Sequence, residues 1–176
     1  MTIQSVHERL LPGTPATVGA LLDQLASPTD ALWPHHRWPP IRLDRGLQVG
    51  AVGGHGPIHY RVVGYEPARM IAFQFTGPQG LHGEHRFEVI AGIDGCRLRH
   101  VLEGHTTGRM RLLWPLVYRP LHDALIEDGL DHAEQALSGH TRRPPRPWSL
   151  HVRMLRRGIA IGLQRRTRRR QSNRPS

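Results

Sequence analysis

Tyr60, His85 and His100 are the side chains best suited to do chemistry in this chain. Each lies in a run where residues alternate, and aliphatic or phenyl groups occupy the neighbouring positions two residues away. A neutral imidazole donates at one ring nitrogen and accepts at the other, and it titrates near about pH 6.5 when unperturbed. Such groups orient a carbonyl, phenol or carboxylate, or exchange its proton when that proton is within hydrogen-bond reach. Tyr60, His85 and His100 are therefore the candidate acid–base set. Packing in a core, with each polar atom satisfied, accounts for the same residues without any chemistry.

The other polar groups are weaker candidates. His35-His36 precedes Arg37-Trp38, where Trp33 and Trp38 either close over an apolar ligand or pack on the sheet. His55 lies among glycines, but no phosphate-loop lysine follows, so a nucleotide site is rejected. His82 and His85 are three apart and face opposite sides of a strand, which argues against a two-histidine metal pair. Arg119, His122 and Asp123 either line a polar cavity end or form a solvated helix face. No metal or cofactor is expected.

The elements that must position these residues follow from periodicity. Gln4 to Leu11 alternates as a first strand. Thr14 caps and Pro15 opens a helix carrying Val18, Leu21, Leu22 and Leu25. A second short helix is predicted over Asp30 to Trp33. From Ile41 to about Thr107 the period is two, through Leu47, Val49 and Ala51 and then four further strands separated by short turns. Strand parity points Ile58, Tyr60, Val62, Ile71, Phe73, Phe75, His85, Phe87, Val89, Leu98, His100 and Leu102 inward. Residues 112–138 then form a long helix, bent near Pro115 or Pro120, whose apolar stripe includes Leu113, Val117, Leu121 and Leu125. The fold class is α+β, a curved antiparallel sheet around one long C-terminal helix. Val117 and Leu121 join Trp33, Trp38 and the inward strand residues as candidate ligand contacts, since small-molecule sites combine apolar walls with sparse polar groups.

Charge divides the chain differently. Residues 1–141 hold twelve arginines against all fourteen acids, whereas 142–176 hold twelve arginines and no acid. The expected organisation is a body at 1–141 and a basic extension at 142–176. Within the extension Trp148, Val152, Leu155, Ile159 and Leu163 recur at helical spacing over 148–163. That helix either lies on an anionic membrane, covers the domain, or packs on a partner, and 148–170 is the expected contact region. The arginines of 165–170 attract nucleic acid or acidic lipid without distinguishing them, and no sequence-reading module accompanies them. Cys96 cannot form an intrachain disulfide. The opening residues lack a signal-peptide core, so the expected location is the cytoplasm, either free or at the inner face of the membrane.

Residues 54–62 (Gly-His-Gly-Pro-Ile-His-Tyr-Arg-Val), Tyr65-Glu66-Pro67, Ile71-Ala72-Phe73-Gln74-Phe75 and 83–89 (Gly-Glu-His-Arg-Phe-Glu-Val) carry a resemblance. With the long helix, they resemble bacterial members of the START-like, or SRPBCC, superfamily over about residues 3–138. The resemblance implies a helix-grip fold enclosing an elongated apolar cavity between sheet and helix. It also implies binding or carriage of a lipid, polyketide or similar hydrophobic molecule. Polyketide cyclase or dehydratase activity is the alternative, and a noncatalytic interaction protein with a filled cavity is the third.

Overall fold

A computed structural model describes residues 1–93, 95–141, 144 and 147–160. Leu163, the arginines of 165–170 and most of the linker 142–147 lie outside the described residues.

The first strand, β1 (Thr2–Leu11), turns at Pro12-Gly13 into α1 (Pro15–Asp23). The Thr14 hydroxyl accepts from the Thr17 amide at 3.2 Å, and Pro15 occupies the first turn, where a missing N–H costs nothing. Val18, Leu21 and Leu22 enter the core. A Cβ on Gly19 would stand 2.1 Å from the Ala68 carbonyl oxygen, so only glycine lets α1 lie directly on that backbone.

The predicted helix at Asp30–Trp33 is replaced by a side-chain-built bend. Asp30 Oδ1 accepts from the Leu32 and Trp33 amides at 2.9 and 2.8 Å, and Oδ2 accepts from Ala26. These bonds compete with helical ones, and Pro34 removes the next donor.

Six strands follow: β2 (Arg42–Leu43), β3 (Val52–His55), β4 (Ile58–Glu66), β5 (Met70–Gly77), β6 (Leu81–Gly92) and β7 (Gly95–Thr106). The alternation through Leu47 and Val49 is turn rather than strand, because Asp44 Oδ1 accepts from the Val52 amide and folds 44–51 back on itself. The seven strands form one antiparallel sheet in the order β1-β7-β6-β5-β4-β3-β2. Gly83 and Gly104 face each other across β6 and β7. A Cβ at either would approach a carbonyl oxygen of the opposite strand to about 2.2 Å, so the pair lets long strands close up and the sheet curl.

The predicted long helix comes in three parts: α2 (Met110–Leu113), one π-helical turn (Trp114–Tyr118) and α3 (Arg119–Ser138), ended by Gly139 at φ 73°. The π turn holds one extra residue and rotates everything before it. Trp114 is therefore buried while Leu113, placed inward by the regular stripe, is exposed. Beyond the turn the stripe is as expected, with Leu125, Ile126, Leu130 and Ala133 buried against the sheet that wraps α3.

Residues 150–160 form a further helix, α4. Its Val152 is buried, and Trp148 just before it packs on the main core. The predicted apolar stripe thus faces the body at these positions. Among the described residues, no helix is long and apolar enough to cross a membrane.

Candidate functional site

Parity on four adjacent strands brings Tyr60, Val62, Phe73, His85, Phe87, Leu98, His100 and Leu102 together, all buried on the concave face. Ile58 and Phe75 are half-buried beside them, as are Val117 and Leu121 on the helical side. Trp33 and Trp38 are fixed parts of the wall. Trp33 Nε1 donates to the Pro39 carbonyl at 2.9 Å, and Trp38 Nε1 donates to Asp128 Oδ2 at 2.6 Å.

The polar centre of this wall is a histidine pair. His85 Nδ1 and His100 Nε2 are 3.3 Å apart, one donating to the other. The His85 ring stacks on Phe73 and on Phe75, at 5.0 and 4.9 Å between centroids, and meets Tyr60 edge-on. Phe87 meets the His100 ring in the same way at 4.6 Å. Burial holds both imidazoles well below their ordinary value, with neighbouring histidines adding to the shift, so both are neutral. His85 Nε2 and His100 Nδ1, the outer nitrogens, are buried without a hydrogen-bond partner. Whichever ring donates within the pair, one outer nitrogen carries a proton and the other a lone pair. The pair is therefore a donor and an acceptor at opposite ends of one unit.

His55, set aside in the sequence as a nucleotide contact, joins this wall. Its Nδ1 lies 3.3 Å from the Tyr60 hydroxyl, and its ring packs on Trp33 at 4.8 Å. Burial pulls His55 down to about 3 and pushes Tyr60 well above the ordinary phenol value. Tyr60 is thus a neutral hydroxyl rather than a base.

A second polar system joins α3 to the edge strand. Ser5, His7 and Arg9 share the inward face of β1, whereas apolar Val6 points to solvent. Opposite them α3 presents Asp123, Glu127, Asp131 and Glu134. Arg9 bonds Glu127, Asp131 and Glu134 at 3.1, 2.6 and 3.1 Å. His7 Nδ1 lies 2.7 Å from Glu127 Oε1 and its Nε2 lies 3.2 Å from Asp123 Oδ1. Burial lowers His7, but the bonds and charges of Asp123 and Glu127 outweigh it and raise the group to about 9. His122 adds its Nδ1 to Asp123 at 3.1 Å, and its ring lies 5.1 Å from that of His100. Of the two readings for Arg119, His122 and Asp123, His122 and Asp123 are half-buried at the sheet, while Arg119 is exposed. Carboxylates at intervals of four and three along α3 were the sequence signal for this seam.

Two cavities open at one end of the sheet, the end that carries the β3–β4, β5–β6 and β7–α2 connections. One, of about 620 Å³, lies among Pro78, Gln79, Thr107, Arg109, Met110 and Tyr118. The other, of about 390 Å³, lies against Pro39, Pro40, Arg42 and His59. Met110, Trp114, Leu81 and Leu102 form a small apolar cluster with Phe75 and Tyr118; Met110 and Tyr118 line the larger cavity and Phe75 stacks on His85, so the cluster links the two.

The helix-grip fold is shared with several solved proteins. One is norcoclaurine synthase from Thalictrum flavum in complex with dopamine and hydroxybenzaldehyde, at 13% identity and TM-score 0.55, covering 81% of this chain and 90% of that one. Another is CalU16 from Micromonospora echinospora, at 17% identity and TM-score 0.52, covering 88% and 80%. The di-domain ARO/CYC StfQ from the steffimycin biosynthetic pathway matches at 12% identity and TM-score 0.57, covering 78% of this chain and 51% of that one. At these identities the likeness is one of fold. No protein-family model matches the chain, and no curated protein is detectably similar in sequence.

Proposed function

We propose that this protein binds a hydrophobic small molecule bearing at least one hydroxyl or carbonyl group, between the sheet and the long helix. The observation that carries the reading is the pair of outer nitrogens on His85 and His100, buried in an aromatic wall without a protein partner. An unpaired buried polar atom costs about 1–3 kcal/mol, and a ligand oxygen placed there recovers it. The ligand enters from the 620 Å³ cavity by displacing the Met110, Trp114 and Tyr118 side chains. The π turn, a backbone irregularity common at functional positions, is where that segment yields.

Two of the fold's relatives support an oxygenated aromatic ligand: one holds dopamine and hydroxybenzaldehyde, and another is an ARO/CYC protein. The second reading, a cyclase or dehydratase, uses the same pair, since a donor and an acceptor in one unit can give a proton at one end and take one at the other. Tyr60 then orients the substrate.

The extension supplies an address at an anionic surface. Leu112, Leu116, Leu150 and Met154 are 59–70% exposed, and His151 Nε2 bonds the Leu116 carbonyl, so α4 and the π turn lie side by side. Arg109, Arg111, Arg153 and Arg157 are exposed on the same two segments. Aliphatic side chains rimmed by arginine suit a lipid interface better than nucleic acid.

Native extraction followed by mass spectrometry tests the ligand. A reproducible apolar, oxygen-bearing species is expected, and its loss is expected in the double variant His85→Leu/His100→Leu. A folded protein that neither copurifies with nor takes up any such molecule refutes the binding reading. Turnover unaffected by replacing Tyr60, His85 and His100 refutes the enzymatic one.

A further inference from the structure

The seam between β1 and α3 brings two imidazoles and a carboxylate to one point. We propose that His7, His122 and Asp123 bind a divalent first-row transition metal ion, with Glu127 as the carboxylate that orients His7. This stands independently of the ligand proposed for the histidine pair.

One donor atom from each of the three residues lies within 4.8 Å of the others. His7 Nε2 and His122 Nδ1 are 3.2 and 3.1 Å from Asp123 Oδ1. Ser5 Oγ is 3.1 Å from His7 Nε2 and 3.3 Å from Asp123 Oδ1. Metal–nitrogen and metal–oxygen bonds of about 2.0–2.1 Å in a tetrahedron set ligand-to-ligand edges of roughly 3.3 Å, so both imidazole-to-carboxylate edges already have the length an ion requires. Ser5 Oγ, beside His7 Nε2 and Asp123 Oδ1, is placed to supply a fourth ligand or to hold a water that does.

His7 has the outer partner that a metal-bound histidine requires. His7 Nδ1 is 2.7 Å from Glu127 Oε1, which fixes the tautomer that offers Nε2. Glu127 is held in turn by Arg9 at 3.1 Å. When His122 coordinates through Nδ1, its proton resides on Nε2, which is buried without a partner and belongs to the ring 5.1 Å from His100. Asp123 and Glu127 supply negative charge, partly offset by Arg119 at 3.7 Å from Asp123 Oδ2. Without metal, a proton on His7 takes the cation's place between the two carboxylates. The donor set, two imidazoles and one carboxylate with an open position, matches divalent zinc, cobalt or iron rather than calcium or magnesium.

The test uses the full chain, stripped with chelator and titrated with Co²⁺. One equivalent should bind with the intense visible bands of a four-coordinate site, and Zn²⁺ should displace it. X-ray absorption of the zinc form should count two imidazoles, a readout that needs no variant. Glu127→Gln should weaken affinity about 10–100-fold. Asp123→Asn and His7→Gln should abolish the bands while the circular dichroism spectrum stays folded. His132→Gln, which removes one ring of the separate cluster formed with His35 and His36, should change nothing. Absence of saturable binding, a weak octahedral spectrum, an imidazole count other than two, or bands that survive Asp123→Asn would overturn the proposal.

Discussion

Acid should destabilise this protein well before its carboxylates are protonated. His55 and the His85–His100 pair are neutral in the fold because burial depresses them, His55 to about 3. In the unfolded chain each returns to about 6.5, so below that pH the unfolded state binds more protons and stability falls as pH falls. One proton on His55 and at least one on the pair give about 2.7 kcal/mol per pH unit, or a loss of about 4 kcal/mol between pH 7.5 and 5. That is a large part of the roughly 5–15 kcal/mol typical of a domain. His7 opposes this fall in the upper part of the window, where the fold keeps its proton and the unfolded chain does not, and offsets about 1 kcal/mol. Below about 6.5 it is charged in both states and adds little further slope. Asp123, held low by His122 and His7 against burial, begins to lose its stabilising contribution only as pH falls through the ordinary carboxylate range. Urea unfolding at half-unit pH steps measures the slope directly. His85→Leu should flatten it by about one proton, or 1.4 kcal/mol per unit. Stability that stays level from pH 7.5 to 5 would mean that these rings are solvated in solution, and the reading of the wall would fail.

Asp128→Asn should loosen the extension, because one carboxylate receives Arg37 at 3.0 Å, Trp38 Nε1 at 2.6 Å and Trp148 Nε1 at 2.9 Å. A loss of about 3 kcal/mol is expected, with faster tryptic cleavage within 148–160 and a shift in tryptophan emission. Leu150→Asp with Met154→Asp should cut co-sedimentation with anionic vesicles several-fold and leave the melting temperature nearly unchanged, both residues being exposed. Equal binding to nucleic acid by the wild type and this variant would move the address from lipid to polyanion. Gly19→Ala should cost several kcal/mol by denaturant titration, since its Cβ meets the Ala68 carbonyl at 2.1 Å and backbone must move.

The alternation of Tyr60-Arg61-Val62 and of His85 through His100 was enough to place the wall, because a strand buried on one face leaves little freedom in parity. Three features escaped for separate reasons. The π turn at Trp114–Tyr118 moved Trp114 into the place expected of Leu113, and no residue pattern announces one inserted residue. Asp30 dismantled a short helix with its side chain, a local competition that periodicity does not weigh. The seam joins His7 to Asp123 across 116 residues. On β1 the polar set faced inward and Val6 outward, opposite to what hydrophobicity alone prefers, because α3 offers carboxylates rather than apolar side chains there. Of the readings left open for the helix at 148–163, contact with the body is the one that Trp148, Val152 and His151 make.

The His85–His100 pair also bears on selectivity. A fixed donor or acceptor would reject a ligand of the wrong sense, but two coupled imidazoles can exchange tautomers and answer either. A hydroxyl and a carbonyl therefore look nearly alike to this pair, and so do an alcohol and the ketone it is oxidised to. What the pair cannot adjust is the spacing and tilt of Phe73, Phe75, Phe87 and Tyr60 around it. Choice among ligands then rests on ring size and flatness, and molecules differing only in oxidation state at one oxygen should compete for the same place.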